Sequence, residues 1–408
     1  MDCLVTKKDV FYMLVFLSMC GNVFVSTYVT PYLYVVVASF FIFKAVFGKN
    51  FLSSEDAVKL YNAKKIILCF IVLFFLQYLT FGWNTFPGLV NHVSKFIVGL
   101  GFVLYFGHRF KEVLFKSIYF ICLIALPLWI YQFITHQGIG GMKWSLGKTI
   151  WLYCYRDGGT GADIVRNCGF FWEPGAMGGY LVFLVILFFP NLNILFKTYK
   201  KECIIILLTL LSTQSTGAYI SFGVTLFFYL FFSFQSKWKY VFLPIVVVGS
   251  FFVYQNTEFL QEKVELQNSK TSEMKIGDYS ASRSGTIIFD LHYIKKHPFI
   301  GNGLHERTRF KDHPLIAQQL RSGDLAAAGN GLSDQLAKWG FVYFIVLFGA
   351  FLSVNRNLEY KEKISILFLF VLLLQGECFL NYPLFQVFPL IHLKNNFDLN
   401  FNANRGCL

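Results

Sequence analysis

Residues 203–233 read CIIILLTLLSTQSTGAYISFGVTLFFYLFFS and are the most informative segment for the fold. It carries no charged residue and is longer than the roughly 17–25 residues of a single membrane span. A polar run at 212–217 interrupts it, and lysines flank it within 197–201 and 237–239. Because lysine concentrates on cytoplasmic connections, we expect this stretch to cross a membrane twice, with its turn on the outer face.

The composition of the whole chain agrees with this interpretation. Of the 408 residues, 55% are hydrophobic and only 14% are charged, and the mean hydropathy is +0.53. A soluble domain usually carries about a quarter charged residues, so this chain has too little charge to cover soluble domains. We therefore predict an all-α fold, a polytopic integral membrane helix bundle.

Other apolar stretches have the length of a membrane span. The stretch 364–392 is long and is interrupted near 375–377. If it also crosses twice, the chain has about twelve transmembrane helices; eleven is the alternative. The uninterrupted stretches are 9–27, 30–47, 65–82, 89–107, 113–134, 176–195, 239–256 and 336–354.

Lysine and arginine clusters orient these spans, because they mark cytoplasmic connections. They place the N-terminus inside and account for most of the net charge of +13. Two long loops then remain outside, and structureless loops longer than about 15 residues are usually functional or disordered. The predicted order is 1–134 (helices 1–5), 135–175 (first loop), 176–256 (central helices), 257–335 (second loop with a surface-lying helix) and 336–408 (last helices and a short cytoplasmic tail).

The cysteine pattern favours no metal or redox motif, since the nine cysteines include no CxxC pair. Cys154 and Cys168 share the first loop. They are either isolated thiols or a disulfide in an oxidising compartment. No nucleic-acid module is evident in the sequence.

The first chemical pattern is RNCGFFWEPG at 166–175, just before a membrane helix. Pro174 suits the first turn of that helix, and Glu173 suits its positive end. The pattern indicates either a simple helix cap with an aromatic anchor or a preorganised polar site containing Arg166 and Glu173.

The second pattern begins at Arg283 and ends in HPFIGNG at 297–303. A cation at a helix start is electrostatically unfavourable, and a bound anion would remove that penalty, which singles out Arg283. Between them the sequence predicts an amphipathic surface helix whose apolar stripe is formed by Ile287, Ile288, Leu291 and Ile294.

Two further features lie at predicted outer helix ends. Asn330, within 328–340, is either a helix cap or part of a site. Lys95 and His92 fall near the outer end of the fourth span, where a lysine either snorkels to the interface or faces a cavity.

Taken in order, these patterns resemble the O-antigen polymerase and ligase superfamily of bacterial membrane glycosyltransferases. The resemblance covers roughly residues 160–350. The sequence departs from the family's pattern at Thr216, where the family has Arg, and at Gly329, where it has His. The matching residues are Arg166 with Glu173 and Pro174; Ser215 with Gly217; Arg283 with His297, Pro298, Gly301 and Gly303; and Asn330 with Gly340.

The resemblance implies a metal-independent glycosyl transfer without a cofactor, at the periplasmic face of the bacterial inner membrane. The implied partners are an undecaprenyl-diphosphate-linked oligosaccharide, the lipid bilayer and a chain-length regulator protein. Gly329 favours a polysaccharide repeat-unit polymerase over a ligase, because the ligase branch uses that His as its candidate base. A flippase is a further alternative, but transporters usually show internal repeats, and none is evident.

The same resemblance implies roles for individual residues. Arg166 and Arg283 are the predicted diphosphate clamp, since arginine makes bidentate hydrogen bonds to phosphate. Glu173 is the first candidate to orient the attacking hydroxyl, and His297 is the second. The remaining predicted substrate-binding residues are Lys95, Asn302, Asn330 and Ser215.

Overall fold

The computed structural model describes residues 5–28, 32–48, 56–136, 142–144, 147–150, 153–155, 166–233, 265, 283–310 and 330–394. They are overwhelmingly helical, which confirms the predicted all-α membrane fold. The predicted span 239–256 and most of the second outer loop lie outside the described residues.

The helices are α1 Lys7–Met19, α2 Val23–Tyr28, α3 Tyr32–Phe47, α4 Ala57–Phe81, α5 Phe86–Phe106, α6 Phe110–Thr135, α7 Pro174–Leu187, α8 Leu192–Thr198, α9 Lys200–Ser212, α10 Thr216–Ser233, α11 Arg283–Lys296, α12 Glu306–Arg309, α13 Gly331–Val354, α14 Tyr360–Leu374 and α15 Pro383–Gln386. Three short strands, β1 Met142–Trp144, β2 Gly147–Ile150 and β3 Tyr153–Tyr155, form an antiparallel sheet in the order β1-β2-β3. The predicted first loop therefore contains local β-structure.

Helix α1 shows how its neighbours run. Near its start, Asp9 forms an ion pair of 2.9 Å with Arg109, in the turn between α5 and α6. Further along, Phe16 stacks on Phe102 of α5, with 4.5 Å between ring centroids. Helix α1 is thus antiparallel to α5. Because α6 also packs along α1, α5 and α6 form a hairpin whose turn lies beside the start of α1.

Contacts between the remaining segments sort into the same two ends. At one end Lys111 donates to the Leu393 carbonyl, and at the other the Asn330 amide donates to the Gln375 carbonyl at 3.2 Å. We define the basic end as residues 5–9, 107–112, 188–202, 355–363 and 391–394. We define the loop end as residues 20–22, 82–85, 166–173, 212–216, 295–303, 330–335 and 375–382.

Within the described ranges, seven segments connect these two ends: α1, α5, α7, α9, α13, α14 and residues 383–391. Three described stretches are long and apolar enough to cross a membrane: Ala57–Phe81, Phe86–Thr135, which is the α5–α6 hairpin, and Gly331–Val354. The pair Pro174–Leu187 and Phe189–Thr198, bent by 60°, makes a fourth if it is one span. The protein is therefore a multi-pass membrane protein, and the total number of crossings stays a prediction.

Two predicted spans are wrong as continuous helices. The stretch 9–27 breaks after Met19, because Gly21 has φ +116° and packs against the Trp172 ring, leaving no room for a side chain. The stretch 176–195 bends after Leu187, where Pro190 lies in a short 3-10 turn. The predicted breaks within 203–233 and near 375–377 are confirmed, since α9 ends at Ser212 and α14 at Leu374.

Candidate functional site

Arg166 fastens the turn between α9 and α10. Its half-buried guanidinium donates through Nε to the Thr213 carbonyl at 3.2 Å and through Nη2 to the Gln214 carbonyl at 3.0 Å. Gln214 has φ +48°, in the left-handed region. Arg166 therefore stabilises a tight turn at the loop end and also places a positive charge there.

Glu173 begins α7 without capping it through its side chain. The preceding Trp172 stacks on Tyr382, with 4.7 Å between ring centroids. Glu173 and Glu377 both lie close enough to the Tyr382 hydroxyl to interact with it electrostatically. The predicted helix start is confirmed, and Glu173 lies where α7 meets the turn 375–382.

The HPFIGNG segment lies along a break in α13. Gly340 adopts φ +69° and ψ −177°, which interrupts the helix. Across this break the Phe341 amide donates to the Pro298 carbonyl at 2.8 Å, and the Gly303 amide donates to the Lys338 carbonyl at 3.0 Å. The motif therefore satisfies backbone groups that an interrupted helix leaves without partners. A Cβ at Gly340 would overlap the backbone of this segment.

Two predicted binding residues have structural bonds. Asn302 is buried, and its amide donates to the carbonyls of Tyr293 and Ala337, both at 3.0 Å. Asn330 caps α13, because its Oδ1 accepts from the Ser333 amide at 3.0 Å. The predicted cap is therefore confirmed, while roles in substrate binding stay predictions.

Ser215 lies buried in the turn before α10, where its Oγ accepts a hydrogen bond from the Ala218 amide at 3.4 Å. His297 follows α11, half-buried, with its ring 4.8 Å from that of Phe81. Arg283 begins α11, but its side chain lies outside the described residues. The convergence of Arg166 and Arg283 therefore stays a prediction.

Helix α11 exists as predicted. Its face toward α13 contains Phe289 and Tyr293, both 1% exposed, together with Ile294 of the predicted apolar stripe at 8%. Asp290 is also 1% exposed on this face. Leu291 of the stripe is 38% exposed, so the stripe as a whole does not form the buried face, and its contact with a membrane surface stays a prediction.

A buried ionic network joins α11, α12 and α13, and sequence reasoning missed it. Arg309 donates to Asp290 at 2.7 Å and to Asp334 at 2.6 Å. Lys338 forms an ion pair of 2.6 Å with Asp334, and Ser333 donates to Asp290 at 2.6 Å. Arg309, Asp290 and Asp334 are each at most 4% exposed. The network therefore fixes the described part of the second loop to α13.

Burial raises the pKa of Asp290, and the neighbouring Asp334 carboxylate raises it further, while Arg309 opposes both effects. For Arg309, burial acts to lower the pKa, but the two carboxylates outweigh it and raise the pKa. Arg309 thus stays charged, and the two carboxylates that it bridges neutralise it.

Lys95 lies on α5, half-buried, with Nζ 5.1 Å from the centre of the Tyr34 ring. His92, one turn earlier, is 7% exposed and lies 3.2 Å from the amide nitrogen of Gln386. Lys95 and Lys338 are close enough for their charges to interact. Lys95 was a predicted binding residue, whereas Lys338 of α13 was not predicted from the sequence.

Among the described residues, no three His, Cys, Asp or Glu side chains converge as metal ligands would. Cys154 and Cys168 lie fully buried in one apolar cluster with Val23 and Trp172. No disulfide joins the two cysteines in the structure.

The fold is that of a multi-pass membrane protein with a set of polar groups at its loop end. Residues 203–348 match the family model described as O-antigen ligase, about a third of the chain. This match confirms the predicted resemblance to the O-antigen ligase and polymerase superfamily, whose function is glycan processing. No curated protein and no solved structure matches the chain.

One sequence signal pointed to part of the missed network. Asp334 and Lys338 are four positions apart, the spacing that brings side chains together on a helix. Arg309 and Asp290 gave no such signal, because their partners lie in other elements.

Proposed function

We propose that this protein is a polysaccharide repeat-unit polymerase for O-antigen or a capsular or exopolysaccharide. The supporting observation is that Arg166, Glu173, His297 and Asn330 all lie at the loop end, as does helix α11, which begins at Arg283. These residues come from segments separated by up to 164 positions (330 − 166). A shared end is what a single site requires.

The proposed reaction transfers a growing glycan from undecaprenyl diphosphate to the non-reducing end of a lipid-linked repeat unit. An acceptor hydroxyl oxygen forms a bond with the anomeric carbon of the donor, and the bond from that carbon to the diphosphate oxygen breaks. Negative charge develops on the departing undecaprenyl diphosphate. Arg166, Arg283 and Lys95 would stabilise that charge, because cationic hydrogen-bond donors bind phosphate strongly.

Glu173 would orient the attacking hydroxyl and take its proton. Its carboxylate lies at the start of α7 without capping the helix. His297 is the second candidate for this role. Asn302, Asn330 and Ser215 would shape the glycan-binding surface from the positions in which their backbone bonds hold them.

We also propose that the basic end faces the cytoplasm and the loop end faces the periplasm, with the protein in the inner membrane. Lys7, Lys8, Arg109, Lys111 and Arg356 lie at or beside the basic end. This is the distribution of cytoplasmic connections. Undecaprenyl-linked repeat units would then reach the site from the outer leaflet, and a chain-length regulator would act on the same face.

A second candidate function is glycan ligation, because the matching family model is described as O-antigen ligase. Gly329, where the ligase branch has His, argues against it. The two activities use the same donor and differ in the acceptor.

The test is a deletion strain whose surface polysaccharide is resolved on a gel. Loss of a polymerase leaves single repeat units attached to the surface, and the wild-type gene restores the ladder. Polymer retained on the lipid carrier would instead identify a ligase. Absence of any surface repeat unit, with lipid-linked units accumulating inside, would identify a flippase.

A further inference from the structure

A ring contact joins α5 to α13 in the half of the bundle that lies toward the loop end. The His92 ring of α5 lies 5.1 Å from the Trp339 ring of α13. Lys95 follows His92 by one helical turn, and Lys338 immediately precedes Trp339. The two lysines therefore come from neighbouring positions of separate helices that this ring contact joins, near enough for an electrostatic interaction.

Lys338 is held in place by a carboxylate that is already shared. Asp334 Oδ2 lies 2.6 Å from Lys338 Nζ, while Oδ1 of the same carboxylate lies 2.6 Å from Arg309. The other carboxylate of the network, Asp290, binds Arg309 and Ser333. Neither carboxylate is therefore available to a further cation.

Lys95 has no carboxylate partner among the described residues, and its Nζ lies over the Tyr34 ring. A half-buried ammonium without an ion-pair partner is stabilised by a nearby anion. The described part of the protein supplies no such anion at Lys95.

Polar atoms beside the two lysines also lack partners. Three of them are fully buried and make no hydrogen bond in the described structure: Gln335 Oε1, Gln386 Oε1 and Trp339 Nε1. Gln335 and Trp339 share one face of α13. Gln386 contacts His92 of α5. Buried polar groups are normally satisfied, so these atoms indicate a place where bound water or a ligand completes the structure.

We propose that Lys338 and Lys95 together bind a phosphate group of the polyprenyl diphosphate, so that Lys338 is a further substrate-contacting residue. This inference rests on the proposed function, which supplies the diphosphate. Asp334 is a positioning residue that directs the Lys338 ammonium, and Arg309 couples that carboxylate to the second loop. Docking of α11 and α12 and orientation of the phosphate-binding lysine then depend on the same carboxylate.

The test measures binding of undecaprenyl diphosphate to the purified full chain in detergent, with quenching of tryptophan fluorescence as the signal. We expect Lys338→Gln and Lys95→Gln each to weaken binding at least tenfold, or about 1.4 kcal/mol. Lys338→Arg, which keeps the charge, should retain most of the affinity. Lys295→Gln is the matched control, because Lys295 is exposed at the same end, and it should leave binding unchanged.

Inorganic pyrophosphate should compete for the site, whereas phosphatidylglycerol should not. Wild-type affinity in both glutamine variants would overturn the lysine pair, including the role of Lys95 in the proposed reaction, and leave polymerisation itself standing. No binding of undecaprenyl diphosphate by the wild-type protein would overturn both. If Lys338→Gln does not fold, Lys95→Gln carries the test, because Lys95 makes no ion pair with a described residue. Equal binding of phosphatidylglycerol would show a lipid headgroup site and overturn the assignment.

Discussion

Several side chains that the sequence singled out bind backbone atoms at breaks in helices. Arg166 donates to two carbonyls of the α9–α10 turn, and Asn302 donates to two carbonyls beside the α13 break. Substituting them would disturb the fold together with any chemistry. Glu173 can be replaced by Gln, which keeps the size of the side chain, so its substitution separates the two effects better.

Glu173→Gln keeps the size of the side chain and removes its charge and its capacity to accept a proton. If Glu173 orients and deprotonates the acceptor hydroxyl, polymer formation should fall by about 100-fold or more. The amount of protein in the membrane should not change. The measurement is polymer yield on a gel against protein detected by immunoblot. Normal polymer length and yield would remove Glu173 from the mechanism.

For individual residues, the sequence predicted helix caps and helix starts better than ion pairs between distant residues. Asn330 and Pro174 act through neighbours a few positions away, so local chemistry was enough to place them. The pairs Arg309–Asp290 and Arg309–Asp334 join residues 19 and 25 positions apart in different elements. Nothing in local spacing marks such a pair, and Arg309 looked like any other loop arginine.

Helix α13 depends on a break that the HPFIGNG segment fills. Gly340→Ala would place a methyl group against the Phe299 backbone, at a φ of +69° that alanine rarely adopts. Such backbone strain costs about 1–3 kcal/mol. We expect a lower melting temperature in detergent and lower polymer yield.

Gly349→Ala is the matched control, since Gly349 lies in the same helix with open space around its Cα. Alanine is the better helix former by about 1 kcal/mol. This variant should melt at the wild-type temperature or slightly above it. Equal melting temperatures for the two variants would contradict the account of the break.

Helix α11 shows where periodicity reaches its limit. Its bounds, Arg283–Lys296, follow the predicted start and the stop before Pro298. Its buried face combines residues from inside and outside the predicted stripe, because Phe289, Asp290 and Tyr293 face α13 together with Ile294 while Leu291 is exposed. A helix of mixed composition carries two plausible stripes, and the partner surface decides between them.

For the whole molecule, the basic residues predicted which connections between segments lie at the same end of the bundle. The contacts sort the described segments into a basic end and a loop end, as the predicted alternation of connections requires. The lengths of the helices were less predictable. Breaks at Gly21 and near Pro190 arise from close packing and from backbone chemistry, and hydropathy does not report either.

Cysteine labelling tests this orientation. Lys295→Cys introduces a thiol at the loop end and Lys361→Cys one at the basic end, and both positions are exposed. In intact spheroplasts an impermeant maleimide should label only the first variant, and permeabilised cells should show both. The unsubstituted protein measures background labelling. The reverse pattern would place the site in the cytoplasm.

We propose that the loop end polymerises lipid-linked repeat units. The most direct measurement reconstitutes the purified protein in liposomes with undecaprenyl-diphosphate-linked repeat units extracted from the deletion strain. We expect a ladder of longer lipid-linked glycans, with undecaprenyl diphosphate released in proportion to the bonds formed. Unchanged single repeat units, with intact protein and substrate present, would contradict it.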